Sequence, residues 1–172
     1  MFKNLSNFNN TSDYLPILNG AIIADIIIIL MVYYNFFGSK FLKDWYLKLN
    51  INAVIADVLI LVIGFILTRF FYFKLFDSYS LVKFTGLFLF IQIVHDILFY
   101  IFFEKIVPKG SNKVFDLFKS YAKEVGGGAI LGDSFMVLLT IFIAKFLGNY
   151  SLNTNIITLI VSIYIIPYII YF

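Results

Sequence analysis

An acid follows the same short pattern three times in this chain. The stretches NGAIIADI (19–26), INAVIADV (51–58) and GGAILGDS (127–134) each contain an alanine, two bulky aliphatic residues, a small residue and then an aspartate. An aspartate in so apolar a stretch is costly inside a membrane unless it faces a polar partner or water. The repeated pattern therefore predicts that these acids share a polar layer.

A fourth acid, Asp96, belongs to the same set. It follows His95, the only histidine of the chain, and lies one helical turn after Gln92. If successive helices alternate in direction, three of the acids lie at similar depth, about 9–12 Å inside one membrane boundary. The predicted polar cluster consists of Asp25, Asp57, Asp96, Asp133, Gln92 and His95.

Three kinds of function fit this set of residues. Hydrogen bonds between helices, with the acids sharing protons, are the interpretation that we prefer. A proton or cation conduit through the same layer is the first alternative, although few polar residues continue toward the opposite surface. The third is an intramembrane aspartyl protease, in which two carboxyl groups share a proton about a water molecule.

The protease interpretation depends on one motif. The residues Ile130–Asp133 resemble the end of the Gly-x-Gly-Asp motif of intramembrane aspartyl proteases of the presenilin and prepilin-peptidase type. That resemblance implies that Asp133 and Asp96 are the catalytic pair. Ile130 stands where the motif has its first glycine, which counts against it.

Small residues beside the acids predict close contacts between helices. Pairs of small residues three or four positions apart let two helix backbones approach and bring an adjacent polar group into the contact. The predicted packing residues are Gly20 and Ala24, Ala53 and Ala56, and Gly128 and Gly132.

The composition indicates that the elements carrying these residues lie in lipid. Hydrophobic residues make up 62% of the 172 residues and charged residues 13%, whereas a soluble domain has about 45–50% and about 25%. With no cysteine and one histidine, we expect neither a metal site nor a cofactor. The net charge of +3 favours anionic lipid headgroups over nucleic acid as the partner.

The predicted fold is an all-α transmembrane bundle of about five helices, since a spanning helix needs about 20 mostly apolar residues. Amphipathic patterns predict an interfacial helix over 112–124 and a smaller one from Phe41. Residues 1–13 are predicted to be an exposed polar tail preceding one membrane domain, 14–172. The predicted spans are 14–37, 51–73, 81–103, 125–147 and 152–172.

The loop charges predict an orientation. Lysines are more numerous in the first and third loops, which places those loops and the C-terminus in the cytoplasm and the N-terminus outside. Arg69 and Lys145 lie near the opposite surface, where we expect their side chains to extend to the interface. The lysines of the first and third loops are Lys40, Lys43, Lys48, Lys105, Lys109, Lys113, Lys119 and Lys123.

Three blocks carry a resemblance to a known group of proteins. AVIADVLILVIG from Ala53, QIVHDILFYIFF from Gln92 and YAKEVGGGAILGDS from Tyr121 resemble multi-pass membrane proteins of large DNA viruses of algae and protists, for which no activity is established. The resemblance runs over most of 14–172. It implies a place in a viral or host internal membrane and assigns no catalytic residue.

The sequence thus favours a non-enzymatic multi-pass membrane protein that acts as a structural or assembly component. We expect its partners to be a bilayer with anionic headgroups and further copies of itself or other membrane or capsid proteins.

Overall fold

The computed structural model describes residues 3–171 as a bundle of seven α-helices. Five of them are long and apolar enough to cross a membrane, which confirms the all-α class. A 3-10 turn at Thr11–Asp13 precedes the first helix, and a π turn at Phe102–Ile106 extends the fourth. The helices are α1 (Tyr14–Tyr33), α2 (Lys40–Leu49), α3 (Ile51–Leu75), α4 (Leu81–Ile101), α5 (Lys113–Val125), α6 (Gly128–Leu147) and α7 (Leu152–Ile170).

The helix ends follow local backbone preferences. The first predicted span stops early, at Tyr33, because Asn35 and Gly38 adopt positive φ angles of 58° and 62°. Gly126 has a φ of 53°, so the fourth predicted span is divided there and α6 begins at Gly128. Met1, Phe2 and Phe172, which the predicted tail and last span include, lie outside the described residues.

The two amphipathic helices are built alike. Ser39 caps α2 by accepting from the Leu42 amide, and Asn112 caps α5 by accepting from the Val114 amide. A single residue with positive φ, Asn50 after α2 and Gly126 after α5, then turns the chain into the next spanning helix. The helices α2 and α5 contact each other at one end of the bundle, which we call the α2–α5 end.

Helix α1 lies at the centre of the bundle, packed against α6, α7 and α3. Gly20 makes the α1–α6 contact possible: a Cβ atom there would lie 2.8 Å from the Thr140 carbonyl oxygen and 2.9 Å from the Ala144 Cβ. Gly64, which the sequence analysis did not single out, has the same role between α3 and α4, where the Phe88 ring occupies the space of a side chain.

The N-terminal segment is not the exposed tail that the sequence predicted. Leu5, Ser6 and Asp13 are buried, and the Asp13 carboxylate lies 2.6 Å from Lys3 Nζ and 3.3 Å from an Arg69 nitrogen. The segment covers the end of the bundle at which α1 begins, opposite the α2–α5 end. We call it the N-terminal end.

Arg69 is one reason that the N-terminal segment packs against the bundle. Its side chain is fully buried, and it donates to the backbone carbonyl oxygens of Asn7 and Asn10 instead of extending to the interface. A buried guanidinium is costly without acceptors, and the turns of the N-terminal segment supply them to one of its nitrogens, Nη2. Lys145, also expected at the interface, is buried and donates to the Tyr79 hydroxyl in the α3–α4 loop.

Candidate binding cavity

A cavity of about 870 Å³ lies at the α2–α5 end. Its walls come from α2, α3, α4, α5 and α6, together with the last two turns of α1 and the segment after it. Pockets that hold small molecules are mostly apolar, with a few convergent polar groups, and measure about 300–1,000 Å³. This cavity has that size and character: its apolar lining includes Phe99, Phe118, Leu131, Phe135 and Met136, and its polar lining includes Asp57, Gln92, His95, Asp96, Tyr121, Glu124 and Asp133.

The structure brings five of the six residues of the predicted polar cluster to this cavity. They come from α3, α4 and α6 and are Asp57, Gln92, His95, Asp96 and Asp133. The sixth, Asp25 of α1, is fully buried and lies outside the lining. It is connected to the cavity through Tyr46, which is one of the lining residues.

Asp25 fastens α2 to α1. The Tyr46 hydroxyl donates to Asp25 Oδ1 at 2.9 Å, and both side chains are buried. The Asp57 carboxyl lies beside the same hydroxyl. Burial, with the nearby Asp57 and Asp25 carboxylates, raises the pKa of Tyr46 well above its ordinary value of 10.0, so the hydroxyl keeps its proton and acts as a donor.

Asp57 fastens the same helix to α3. The Trp45 indole Nε1 donates to Asp57 Oδ2 at 3.0 Å. Trp45 and Tyr46 are therefore two adjacent donors on one amphipathic helix that reach acids on two different spanning helices. The sequence analysis did not predict these contacts. The available signal was the pair of aromatic donors a few residues before an acid-bearing span.

Asp96 has a different environment, because its hydrogen bonds stay within α4. Gln92 Nε2 donates to Asp96 Oδ1 at 2.7 Å, and His95 Nδ1 lies 3.1 Å from the same oxygen. The other oxygen, Oδ2, is buried and has no hydrogen-bond partner among residues 3–171. Asp96 therefore makes no hydrogen bond to another helix within the described chain.

Asp133 has no partner at all in the described chain. Its carboxyl group makes no hydrogen bond or ion pair with any of residues 3–171, although it is only partly exposed and lines the cavity. The acids Asp96 and Asp57 line the same cavity. A carboxyl group so placed has unused hydrogen-bonding capacity directed at the cavity contents.

Tyr121 of α5 faces this acidic region. Burial, and to a smaller extent the carboxylates of Asp133, Asp57, Asp96 and Glu124, raise the pKa of Tyr121 above its ordinary value of 10.0. Its hydroxyl is therefore a neutral donor. Like the Asp133 carboxyl, it has no hydrogen-bond partner within residues 3–171.

Glu124 connects the two amphipathic helices at the edge of the cavity. Its carboxylate accepts from the Ser39 hydroxyl at 2.7 Å and from the Phe41 amide at 3.0 Å. These hydrogen bonds lower the pKa of Glu124 below its ordinary value of 4.5, so the carboxylate is ionised at neutral pH. The negative charge lies at the first turn of α2, where the helix dipole favours it.

Three of the six predicted packing residues lie in helix contacts, and the other three line the cavity. Gly20, Ala24 and Ala53 lie in tight or fully buried contacts. Ala56, Gly128 and Gly132 line the cavity instead, and a Cβ atom on Gly132 would meet no atom within 4 Å. These three residues therefore border the cavity, and at Gly132 the lack of a side chain leaves space open.

Within residues 3–171, no three His, Asp or Glu side chains are grouped so that they could hold a metal ion. The cavity combines apolar walls, a carboxyl group without a partner, a neutral tyrosine hydroxyl and an imidazole. Such a site can bind an amphiphilic molecule.

Comparisons of the chain with protein-family models, curated proteins and solved structures give no match. The five helices that are long and apolar enough to cross a membrane are compatible with a multi-pass membrane protein. The resemblance to viral membrane proteins stays a prediction.

Proposed function

We propose that the chain is a non-enzymatic multi-pass membrane protein that binds an amphiphilic molecule in the cavity at its α2–α5 end. The observation that carries the proposal is the cavity itself, about 870 Å³ in volume, where polar groups from α3, α4, α5 and α6 meet on a largely apolar wall. An amphiphile satisfies both kinds of surface at once, since its chain covers the apolar wall and its polar group reaches the acids.

The proposal divides the four intramembrane acids into two pairs. Asp25 and Asp57 hold α2 against α1 and α3 through Tyr46 and Trp45, which supports the predicted role in fastening helices. Asp96 and Asp133 make no hydrogen bond to another helix within residues 3–171. We assign this second pair to the cavity contents.

The surface of the α2–α5 end carries exposed lysines that could bind a second partner, outside the cavity. We propose that its exposed lysines bind anionic headgroups, as expected for basic amphipathic helices. Enrichment of anionic over neutral lipids retained by the purified protein, measured by native mass spectrometry, tests this. Exposed lysines here are Lys40, Lys43, Lys48, Lys105, Lys109, Lys113 and Lys123.

A place in a viral or internal membrane, and an assembly role there, remain part of the proposal.

The core beyond the cavity favours binding over conduction. Phe65 packs against Phe84 and Phe88, with ring centroids 5.3 and 5.4 Å apart, between the cavity and the N-terminal end. The cations Arg69 and Lys145 are buried past these rings. A proton or cation path needs polar groups along its whole length and suffers from fixed positive charge, so these residues support a cavity closed on that side.

An intramembrane aspartyl protease is the second candidate, because Asp96 and Asp133 line one cavity from two different helices. Against it, one Asp96 oxygen is engaged by Gln92 and His95. The test is hydrolysis of a library of apolar fluorogenic peptides by the detergent-solubilised protein. Cleavage that disappears in an Asp96→Ala, Asp133→Ala double variant would establish this candidate, and equal signals from both proteins would discard it.

The binding proposal is tested with the only tryptophan of the chain, Trp45, which lines the cavity. We expect 12-carbon amphiphiles with brominated chains to quench Trp45 fluorescence saturably in nanodiscs. Gly132→Leu should remove the saturable part, because the new side chain fills open cavity space. Gly86→Leu is the matched control, since Gly86 is also helical with open space around it but lies on α4 outside the cavity.

Two results would overturn the proposal. One is quenching that rises linearly with probe concentration and never saturates. The other is saturable quenching that Gly132→Leu and Gly86→Leu reduce to the same extent.

A further inference from the structure

We infer that the amphiphile bound in the cavity carries a protonated amine, which Asp133 binds with the help of Asp96. This inference rests on the proposed function and adds the chemical class of the ligand. It is argued from the charges that face the cavity, from the carboxyl groups without partners, and from the aromatic rings around them.

The ionisable side chains that line the cavity are mainly acidic. Four carboxyl groups, from Asp57, Asp96, Glu124 and Asp133, line the cavity, and no lysine or arginine within residues 3–171 does so. The chain as a whole has a net charge of +3, so this lining is opposite in sign to the protein. A cavity of one sign attracts and retains a ligand of the other.

Two of these carboxyl groups accept hydrogen bonds from side chains of the protein. Asp57 accepts from Trp45 and Glu124 accepts from Ser39. Asp133 is different, since it has no hydrogen-bond or ionic partner in the described chain. A carboxyl group largely removed from water without a partner carries a desolvation cost, and an ammonium group, with three donors and a positive charge, removes that cost more fully than a neutral group does.

Asp96 supplies a second acceptor near Asp133. Its Oδ2 is buried without a partner in residues 3–171, and both acids line the same cavity from two different helices. Two neighbouring acids repel each other unless a proton or a cation lies between them. An amine bound to Asp133 relieves this repulsion.

The aromatic lining favours the same ligand. Trp45, Phe118 and Tyr121 line the cavity beside the acids, and the faces of aromatic rings attract ammonium groups. An anionic headgroup would meet four carboxyl groups and no lysine or arginine among the described lining residues. A bare metal ion would lack a set of three His, Asp or Glu ligands among the described residues.

The experiment compares three brominated 12-carbon amphiphiles that differ only in the head: an ammonium, a maltoside and a sulfate. Affinity is read from Trp45 quenching in nanodiscs of one fixed neutral lipid composition. We expect the ammonium compound to bind about 10- to 100-fold more tightly than the maltoside, as for a hydrogen bond to a charged group, and the sulfate to bind most weakly.

Asp133→Asn should remove the preference for the ammonium compound over the maltoside. Asp77→Asn is the matched control, because Asp77 is an exposed acid in the α3–α4 loop at the other end of the bundle. It loses the same charge and should keep the preference. Asp133→Glu retains the charge and should keep most of it, whereas Asp96→Asn should reduce it partly.

The outcomes separate the two proposals. Saturable, Gly132-dependent binding without a preference for the ammonium compound would overturn the inference and leave the proposed function standing. A preference lost equally in Asp133→Asn and Asp77→Asn would also overturn it, since it would reflect overall charge. Absence of Gly132-dependent binding for all three compounds would overturn both. If Asp133→Asn does not fold, an unchanged preference in Asp96→Asn overturns the inference.

Discussion

At the scale of single residues, four similar acids have four different environments. Asp25 is buried beneath Tyr46, and Asp57 accepts from Trp45. Asp96 is held by its own helix, and Asp133 has no partner in the described chain. The intramembrane acids therefore differ in what their removal should cost, because only the first two join helices.

Tyr46→Phe tests the role of the first pair. Removing the hydroxyl leaves the buried Asp25 carboxyl without its donor, so we expect the free energy of unfolding to fall by about 1–3 kcal/mol. The measurement is equilibrium unfolding in mixed micelles with increasing denaturing detergent, followed by Trp45 fluorescence.

Tyr168→Phe is the matched control for that variant. It removes a hydroxyl whose hydrogen bond, 3.2 Å to Tyr164, lies on an exposed side chain of α7. No buried group depends on this hydroxyl, so we expect almost no change in stability. Equal losses in both variants would show that Asp25 does not depend on Tyr46.

At the scale of elements, the repeated small-residue pattern is used in two ways. On α1 it lets the backbone approach α6, where Gly20 meets Thr140 and Ala144. On α6 the same pattern faces the cavity at Gly132 and contacts no other helix closely. The pattern specifies a surface without side-chain bulk, and the neighbouring helix decides whether that surface is packed or open.

Alanine substitution distinguishes these two uses. Gly20→Ala places a Cβ atom 2.8 Å from a backbone oxygen, so we expect a loss of about 1–3 kcal/mol in unfolding free energy from overpacking. Gly132→Ala meets open space and should be neutral or stabilising by up to about 1 kcal/mol, because alanine favours helix. Unfolding in mixed micelles measures both, and a larger loss for Gly132→Ala would contradict the described α1–α6 contact.

At the scale of the whole molecule, the two ends of the bundle have different characters. The N-terminal end is closed by the 3–13 segment, which Asp13 and Arg69 hold in place. The α2–α5 end is open at the cavity and carries exposed lysines. The predicted orientation places the open, basic end in the cytoplasm.

Cysteine labelling tests that orientation cleanly, because the chain contains no cysteine. Ser78 lies in the α3–α4 loop at the N-terminal end and Ser111 lies before α5 at the other, and both are exposed. We expect a membrane-impermeant maleimide added to intact cells to label Ser78→Cys and not Ser111→Cys. Permeabilised cells, in which both should react, are the control, and the reverse pattern in intact cells would invert the predicted topology.

Much of the architecture was predictable from the sequence by itself. Spanning helices are specified by length and hydropathy, which are properties of contiguous residues, and the predicted all-α class is the one observed. The amphipathic helix α5 follows likewise from periodicity and from a capping asparagine, Asn112. The candidate polar residues were also visible, because charge is rare in such a chain.

What each of those residues does was decided only by the tertiary structure. Nothing local distinguishes Asp25 from Asp133, since both follow a small residue in an apolar helix. The difference arises because α2 folds back to bring Tyr46 to Asp25, whereas Asp133 borders a space that no side chain fills. The burial of Arg69 has the same origin, because its acceptors belong to residues about 60 positions earlier in the chain. Contacts between distant segments depend on how the helices pack, and the hydropathy of a segment does not specify which other segments it contacts.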